Sequence, residues 1–237
     1  MWFLTESEQA RLENAITAVF AAPFIDDIED FVWEAVFGYV KQIPIRDPLI
    51  EIRSKRLFDV VDSQRRIGWS AKALQHTLRR GVEFELVIQR ADIFKKSDLL
   101  GFPERLSLQS DPNILGYALL QHWHQKVIAD AQEQQVDDKR ICVLLKSPNR
   151  TNFAYYEDQL VQALPDNLIW RWTDASKTGL QGFYRVDGFC KFRWYPNQKQ
   201  LFERFKLPDQ TPIFNLDIQR LLLSDVINLL RAALDRL

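Results

Sequence analysis

The chain runs to 237 residues, of which 46% are hydrophobic, 27% charged and 12% aromatic, proportions that exclude a disordered or fibrous protein and allow a sizeable core. Lys plus Arg (31) nearly balance Asp plus Glu (32), so the formal charge of -1 gives no bulk pull toward nucleic acid or membrane and any such pull must be local. Eight glycines and ten prolines are too few for low-complexity tails or a many-turned β-sandwich.

Thr5 to Ala21 carries Leu12, Ile16, Val19 and Phe20 at helical spacing, and Thr5 with Glu8 three residues later predicts a capping box. Asp26 to Lys41 predicts a second helix, with acids in its first turn and Phe31, Val32, Ala35, Val36, Tyr39 and Val40 as a broad apolar face. Pro44 and Pro48 then punctuate the chain, and from Leu49 the period becomes extended. Arg56 to Asp62 predicts a strand, Ser63 to Arg66 a turn and Ile67 to Lys72 a second strand, together a hairpin. Ala73 to Arg80 has helical character and stops at Gly81, and Val82 to Gln89 returns to strand.

Farther on, Asp111 to Gln135 reads as a long helix opened by Asp-Pro, Arg140 to Lys146 as a buried strand, and Asn152 to Leu164 as another helix. Leu168 to Thr173, Gly182 to Val186 and Phe189 to Tyr195 are short aromatic-rich strands, and Asp217 to Leu237 is a terminal helix whose Leu/Ile/Val face suits the core or a second copy of the chain, core packing being the default. Neither repeat nor linker interrupts the pattern, which predicts one domain, 1–237, of the α/β class. Cys142 and Cys190 each lie in an apolar or aromatic run, as buried free thiols do, which points to a reducing compartment. The start lacks a basic or long apolar segment and no stretch approaches about 18 apolar residues, so a cytoplasmic protein with no membrane partner is expected.

A hairpin turning at Gln64-Arg65 sets Asp59 directly opposite Ser70, with Lys72 on the same face. An acid and a hydroxyl about 5 Å apart at their Cβ atoms, with an ammonium two residues on, suit a divalent cation and a water oriented against a phosphate. The carboxylate offers the hard oxygen that Mg²⁺ prefers, and the lysine can stabilise charge developing at phosphorus. The plainer alternative is a structural ion pair of Asp59 with Lys72 or Arg56.

This hairpin, with the helix and strand expected after it, resembles the core of the PD-(D/E)XK nuclease superfamily, and Gly68-Trp69-Ser70-Ala71-Lys72 is similar to the Gly-aromatic-Ser-x-Lys signature of some type II restriction endonucleases. The resemblance covers residues 55 to 90. It implies a restriction-endonuclease-like core, a mixed central sheet flanked by helices, with Mg²⁺ as cofactor and cleavage of double-stranded DNA at a specific sequence. Position by position, Asp59 matches the first metal-binding acid, Ser70 the place usually held by Glu or Asp, and Lys72 the catalytic lysine. A neutral Ser70 is a weaker ligand than a carboxylate, so another acid must compensate. Families of this fold often recruit one from the helix preceding the hairpin, which favours Glu34, with Asp62 and Glu85 as the other candidates. Glu34 interrupts an apolar run, where burying a carboxylate is costly without a partner or metal; a solvent-facing place on an amphipathic helix is the alternative. Asp62 falls on the opposite strand face.

Lys191 to Lys206 holds five basic residues and one acid among aromatics, and Arg193, Asn197, Gln198 and Lys199 are candidate DNA contacts. Lys146, Asn149 and Arg150 form a second basic loop after a buried strand. The three histidines, His76, His122 and His124, have no zinc spacing; His76, one helical turn beyond Lys72, is the one within reach of a phosphate. A palindromic duplex would want a twofold homodimer. The competing expectation is a non-catalytic nucleic-acid-binding or interaction module.

Overall fold

Residues 2–44, 56–160 and 163–235 are described in a computed structural model of the chain. In chain order the elements are α1 (Glu6–Ala21), α2 (Asp30–Val40), β1 (Val60–Asp62), β2 (Ile67–Gln75), β3 (Glu83–Arg90), α3 (Pro112–Glu133), β4 (Asp138–Lys146), β5 (Asn152–Gln159), β6 (Leu168–Trp172), β7 (Leu180–Tyr184), β8 (Cys190–Tyr195), β9 (Gln200–Lys206), β10 (Ile213–Asn215) and α4 (Leu223–Leu234). The class is α/β. The sequence reads as one domain, 1–237; the chain divides into two compact units, the first made of Met1–Arg80, Glu133–Leu160 and Asp209–Leu237, the second of Gly81–Gln132 and Val161–Pro208. Among the described residues no helix is long and apolar enough to cross a membrane.

The first unit begins with the expected capping box: the Glu8 amide donates to Thr5 Oγ1 and the Thr5 amide to Glu8 Oε2. From there α1 buries Leu12, Ile16 and Phe20, and α2 buries Trp33, Val36, Phe37 and Val40. Phe31 and Tyr39, expected on the buried face of α2, are half exposed, so that face is narrower than the apolar run suggests. Both helices cover one side of a five-stranded mixed sheet, order β1-β2-β4-β5-β10, whose contribution to the core is Trp69, Ala71, Cys142, Leu144, Phe153 and Tyr155. Each large side chain so buried contributes roughly 1.5–3 kcal/mol of transfer free energy. Within the sheet β2 and β4 run parallel and the remaining neighbours antiparallel. Gly68 is required where β2 passes Phe58 and Val136: a Cβ there would lie 2.7 Å from the Val136 side chain.

Two helices expected from the sequence are strands or loop. Ala73 to Arg80 is not helical, because β2 continues through Gln75, paired residue for residue with β4 from Ile67 and Asp138 to Gln75 and Lys146. Nine consecutive ladder positions outweigh the weak local preference of Ala-Leu-Gln for helix. Asn152 to Leu164 contains β5 instead of a helix, and Phe153 through Glu157 are all buried. A strand covered on both faces loses the alternation that would identify it. The strand after the hairpin, β3, belongs to the other unit and does not complete the hairpin's sheet. The terminal helix is shorter than expected and leans on the core through Val226 alone among its described residues.

The core of this unit contains an ionised group. Glu157, fully buried, accepts from Trp69 Nε1 (2.7 Å), Arg140 (2.9 Å) and Tyr155 Oη (2.5 Å), with Lys41 Nζ at 3.3 Å. Burial alone would raise its pKa, but Lys41 and the hydrogen bonds outweigh that and hold it below the ordinary value.

The second unit is built on an antiparallel sheet, order β3-β9-β8-β7-β6, with α3. Alternation is clean here: Leu201 and Phe205 of β9 and Phe192 and Trp194 of β8 are buried while their neighbours in sequence are partly exposed. β9, read from the sequence as part of a basic loop, is thus a regular strand. On α3, His122 accepts a hydrogen bond from Lys96 Nζ at 3.1 Å, and its burial together with that ammonium lowers its pKa to about 4. The thiols of Cys142 and Cys190, one in each unit, are free and buried, as their sequence context predicts.

Candidate functional site

The hairpin of β1 and β2 turns where the sequence places it, with Val60 opposite Trp69 and Asp62 opposite Ile67. Asp62 closes the turn by accepting from the Gln64 and Arg65 amides, both at 3.0 Å. That register carries Asp59 level with Ser70, and the Asp59 amide still donates to the Trp69 carbonyl (2.9 Å). Beyond Trp69, β1 no longer covers β2, and the freed edge would leave backbone donors unpaired.

Two carboxylates fill that edge. Asp59 Oδ2 accepts from the Ala71 amide (2.9 Å), and Asp30 Oδ1, from the first turn of α2, accepts from the Ala73 amide (2.8 Å). Lys72 Nζ joins Asp59 Oδ2 at 3.0 Å and the Ala71 carbonyl at 2.9 Å. Asp59, Asp30, Lys72 and the Ala71 carbonyl therefore converge along about two residues of one strand. Strand alternation sends Trp69 and Ala71 into the helix-covered core and puts Ser70 and Lys72 on the opposite face, with Ser70 3% exposed.

The electrostatics are those of a half-desolvated pair. Burial raises the Asp59 pKa against the pull of Lys72, and the nearby Asp30 charge raises it further. Burial works against the Lys72 ammonium as well, yet the Asp59 carboxylate and Asp30 outweigh it and hold the lysine above its ordinary value. A carboxylate already carrying a desolvation penalty gains from an additional cation.

Other expected residues fall in different places. Glu34 lies one turn beyond Asp30 on α2, hence on the same side of the helix, half-buried and engaged. Asp62 is occupied by the hairpin turn. Glu85 lies on β3 in the second unit, its carboxylate 3.4 Å from Arg193. His76 is half-buried, on no helix, and its Nδ1 is 3.0 Å from the Thr77 carbonyl. Asp30 is the acid that sequence reasoning missed. Its one signal was a place in the first turn of a helix, which equally suits a residue answering the helix dipole.

The DNA-contact candidates divide between the units. Lys146 is 3% exposed, its ammonium bonded to Asp27 (2.7 Å) and to the Ile28 carbonyl (2.5 Å), so it ties strand to loop and is not presented to solvent. In the same loop Asn149 accepts from Ser147, and Arg150 stands 3.8 Å from Asp27, its buried Nε without a hydrogen-bond partner. In the second unit Asn197, Gln198 and Lys199 form the exposed turn between β8 and β9, with Lys199 paired to Asp92 (2.7 Å), while Arg193 lies between Glu85 and Tyr195.

Among the described residues, no group of three or more His, Cys, Asp and Glu side chains is gathered as a ready-made metal cluster. Two carboxylates and a backbone carbonyl on one strand edge are nonetheless hard oxygen donors, and Mg²⁺ is commonly held by one or two carboxylates with water and substrate phosphate completing the shell. No protein-family model, curated protein or solved structure matches the chain.

Proposed function

We propose that the protein is a Mg²⁺-dependent endonuclease of the type II restriction kind, with a restriction-endonuclease-like core, hydrolysing phosphodiester bonds of double-stranded DNA in the cytoplasm. The observation that carries this reading is the 3.0 Å contact of Lys72 with Asp59 at the end of a hairpin whose register the signature requires. Asp59 and Asp30 hold the cation, and Ser70 borders the site from the neighbouring position of β2. Bound there, Mg²⁺ would polarise a phosphate oxygen and acidify a water. Lys72, kept charged by the two acids, stabilises negative charge on the phosphate, and Glu34 supports Asp30 from the next turn of α2. The free buried thiols support a reducing compartment.

A second reading takes the same contact together with the Ala71 carbonyl. Lys72 already satisfies Asp59 and the Ala71 carbonyl, which is how a purely structural pair in a non-catalytic nucleic-acid-binding module would look. Mixed-sequence plasmid incubated with about 10 mM Mg²⁺, an excess for a weakly held hard cation, separates the two. Discrete fragments that vanish with EDTA and in Lys72→Ala support the nuclease; intact plasmid under both Mg²⁺ and Mn²⁺ removes it in favour of the module.

A further inference from the structure

Residues paired across strands share one face of a sheet. In the second unit the registers line up a single row over all five strands: Arg171 of β6, Gln181 of β7, Arg193 of β8, Phe202 of β9 and Val87 of β3. None of the five is buried, whereas Trp170, Leu180, Phe192, Trp194, Leu201 and Leu86, each one step away in sequence, are. Helix α3 lies against that buried side, its Gly116 on the Trp170 ring. The row is open to solvent, with Val87 40% exposed and the Arg193 side chain 24%.

The chemistry of this open face is aromatic and basic. Tyr195, two residues along β8 from Arg193, sets its ring perpendicular to that of Phe202, with 5.5 Å between centroids. Arg193 Nη1 donates to the Tyr195 hydroxyl at 3.1 Å and stands 3.4 Å from Glu85, so the guanidinium is held beside the rings. Arg204 is fixed in the same way by Glu83 at 2.7 Å. Arg90 and Lys206 pair onto the same face opposite Gln200 and Glu83. With Arg171 that makes five cations against two carboxylates, a local surplus of positive charge in a chain whose total charge is -1.

The geometry points to a binding face for single-stranded nucleic acid, with unpaired bases stacked on Phe202 and Tyr195 and phosphates met by the arginines. Stacking of this kind tolerates any sequence, because every base has a π-face, and a basic surround tracks the backbone. Gln181, between Arg171 and Arg193 in the row, offers an amide that both donates to and accepts from an exposed base edge. A duplex is the poorer occupant. Strands about 4.8 Å apart make five of them roughly 19 Å across, too broad for a major groove about 12 Å wide, and paired bases have no free face to offer the rings.

The inference does not rest on the nuclease reading, and its test is run in EDTA, where no divalent cation is left for Asp59. Fluorescence anisotropy of a labelled oligothymidylate of about 20 nucleotides, long enough to cover a site of this kind, should show binding by the full chain that weakens with salt. Phe202→Leu keeps an apolar side chain in the strand and removes the ring. It should weaken single-strand binding by roughly 10-fold or more, with the wild-type melting temperature and unchanged duplex binding. Tyr195→Leu repeats the loss at the second ring. Arg171→Gln, at an exposed position, should reduce the salt slope for the single strand by about 0.7. Unchanged anisotropy with wild-type protein up to roughly 100 µM, the weak end of sequence-independent binding, overturns the inference. So does full single-strand affinity in both ring variants. An intact plasmid in Mg²⁺ beside normal oligothymidylate binding would remove the nuclease and leave this face standing.

Discussion

Asp30 accepts the Ala73 amide proton at 2.8 Å, two residues along the same strand edge from where Asp59 accepts that of Ala71 at 2.9 Å. An asparagine at position 30 keeps an acceptor oxygen for that amide and loses only the charge. Asp30→Asn is therefore expected to fold with stability within about 0.5 kcal/mol of wild type while Mg²⁺ affinity drops by roughly 10–100-fold. Isothermal titration with Mg²⁺, alongside a thermal melt, reads both. Glu34→Gln should reduce affinity less, and the reverse order would return the second-ligand role to Glu34.

Asp59 must be ionised to hold a cation, and its pKa is raised. In the metal-free protein the protonated form persists to higher pH than in an ordinary aspartate, and a carboxyl titration followed by NMR without Mg²⁺ should place the Asp59 midpoint above 3.8, the ordinary value. The folded state also holds a proton there that the unfolded chain releases, so this group alone makes stability fall as pH rises through the same window.

Lys146, at the end of β4, and Arg150, in the loop that follows, separate cleanly by experiment. Lys146→Ala strands Asp27 and lowers the melting temperature, with salt dependence of DNA binding unchanged. Arg150→Ala leaves the melt near wild type, weakens duplex binding uniformly across sequences and reduces the salt slope by about 1. Fluorescence anisotropy at several salt concentrations measures the slope.

Glu157→Gln removes one charge from a buried cluster and leaves Arg140 and Lys41 without it. A loss of about 3–5 kcal/mol is expected in urea unfolding. A change under 1 kcal/mol would mean that water reaches the cluster.

His122 is held at a pKa of about 4 against an ordinary 6.5 by burial and by the Lys96 charge. Between those values the unfolded chain takes up a proton that the folded chain refuses. Stability is therefore complete above about 6.5 and lost as pH falls toward 4, by on the order of 1–2 kcal/mol after allowing for its partial contact with water. His122→Gln should flatten that part of the stability profile.

The hairpin was legible because a polar four-residue turn flanked by apolar runs admits few registers, and the register brought Asp59 to Lys72. The fate of residues after Lys72 was not, since what keeps Ala73 to Gln75 extended is β4, some seventy residues away in sequence. β5 was mistaken for a helix for a related reason: with Phe153 to Glu157 all covered, a strand shows no period of two. Asp30 was invisible as a ligand because its partner is a backbone amide, which leaves no trace in residue identity. The apolar face of α4 suited either the core or a second copy, and its leucines are exposed, as hydrophobicity alone cannot say whether the surface that covers a face belongs to the same molecule.

The parallel ladder between β2 and β4 has a consequence for biosynthesis. During translation β2 emerges well before the strand that must lie beside it, with the whole of one stretch of the second unit, Gly81–Gln132, synthesised in between. Until then the edge of β2 opposite Asp59 and Asp30 is bare. Assembly of this part of the sheet is thus late and non-local, the slow kind of event in folding. Nascent chains stalled before β4 should be the ones that recruit chaperones.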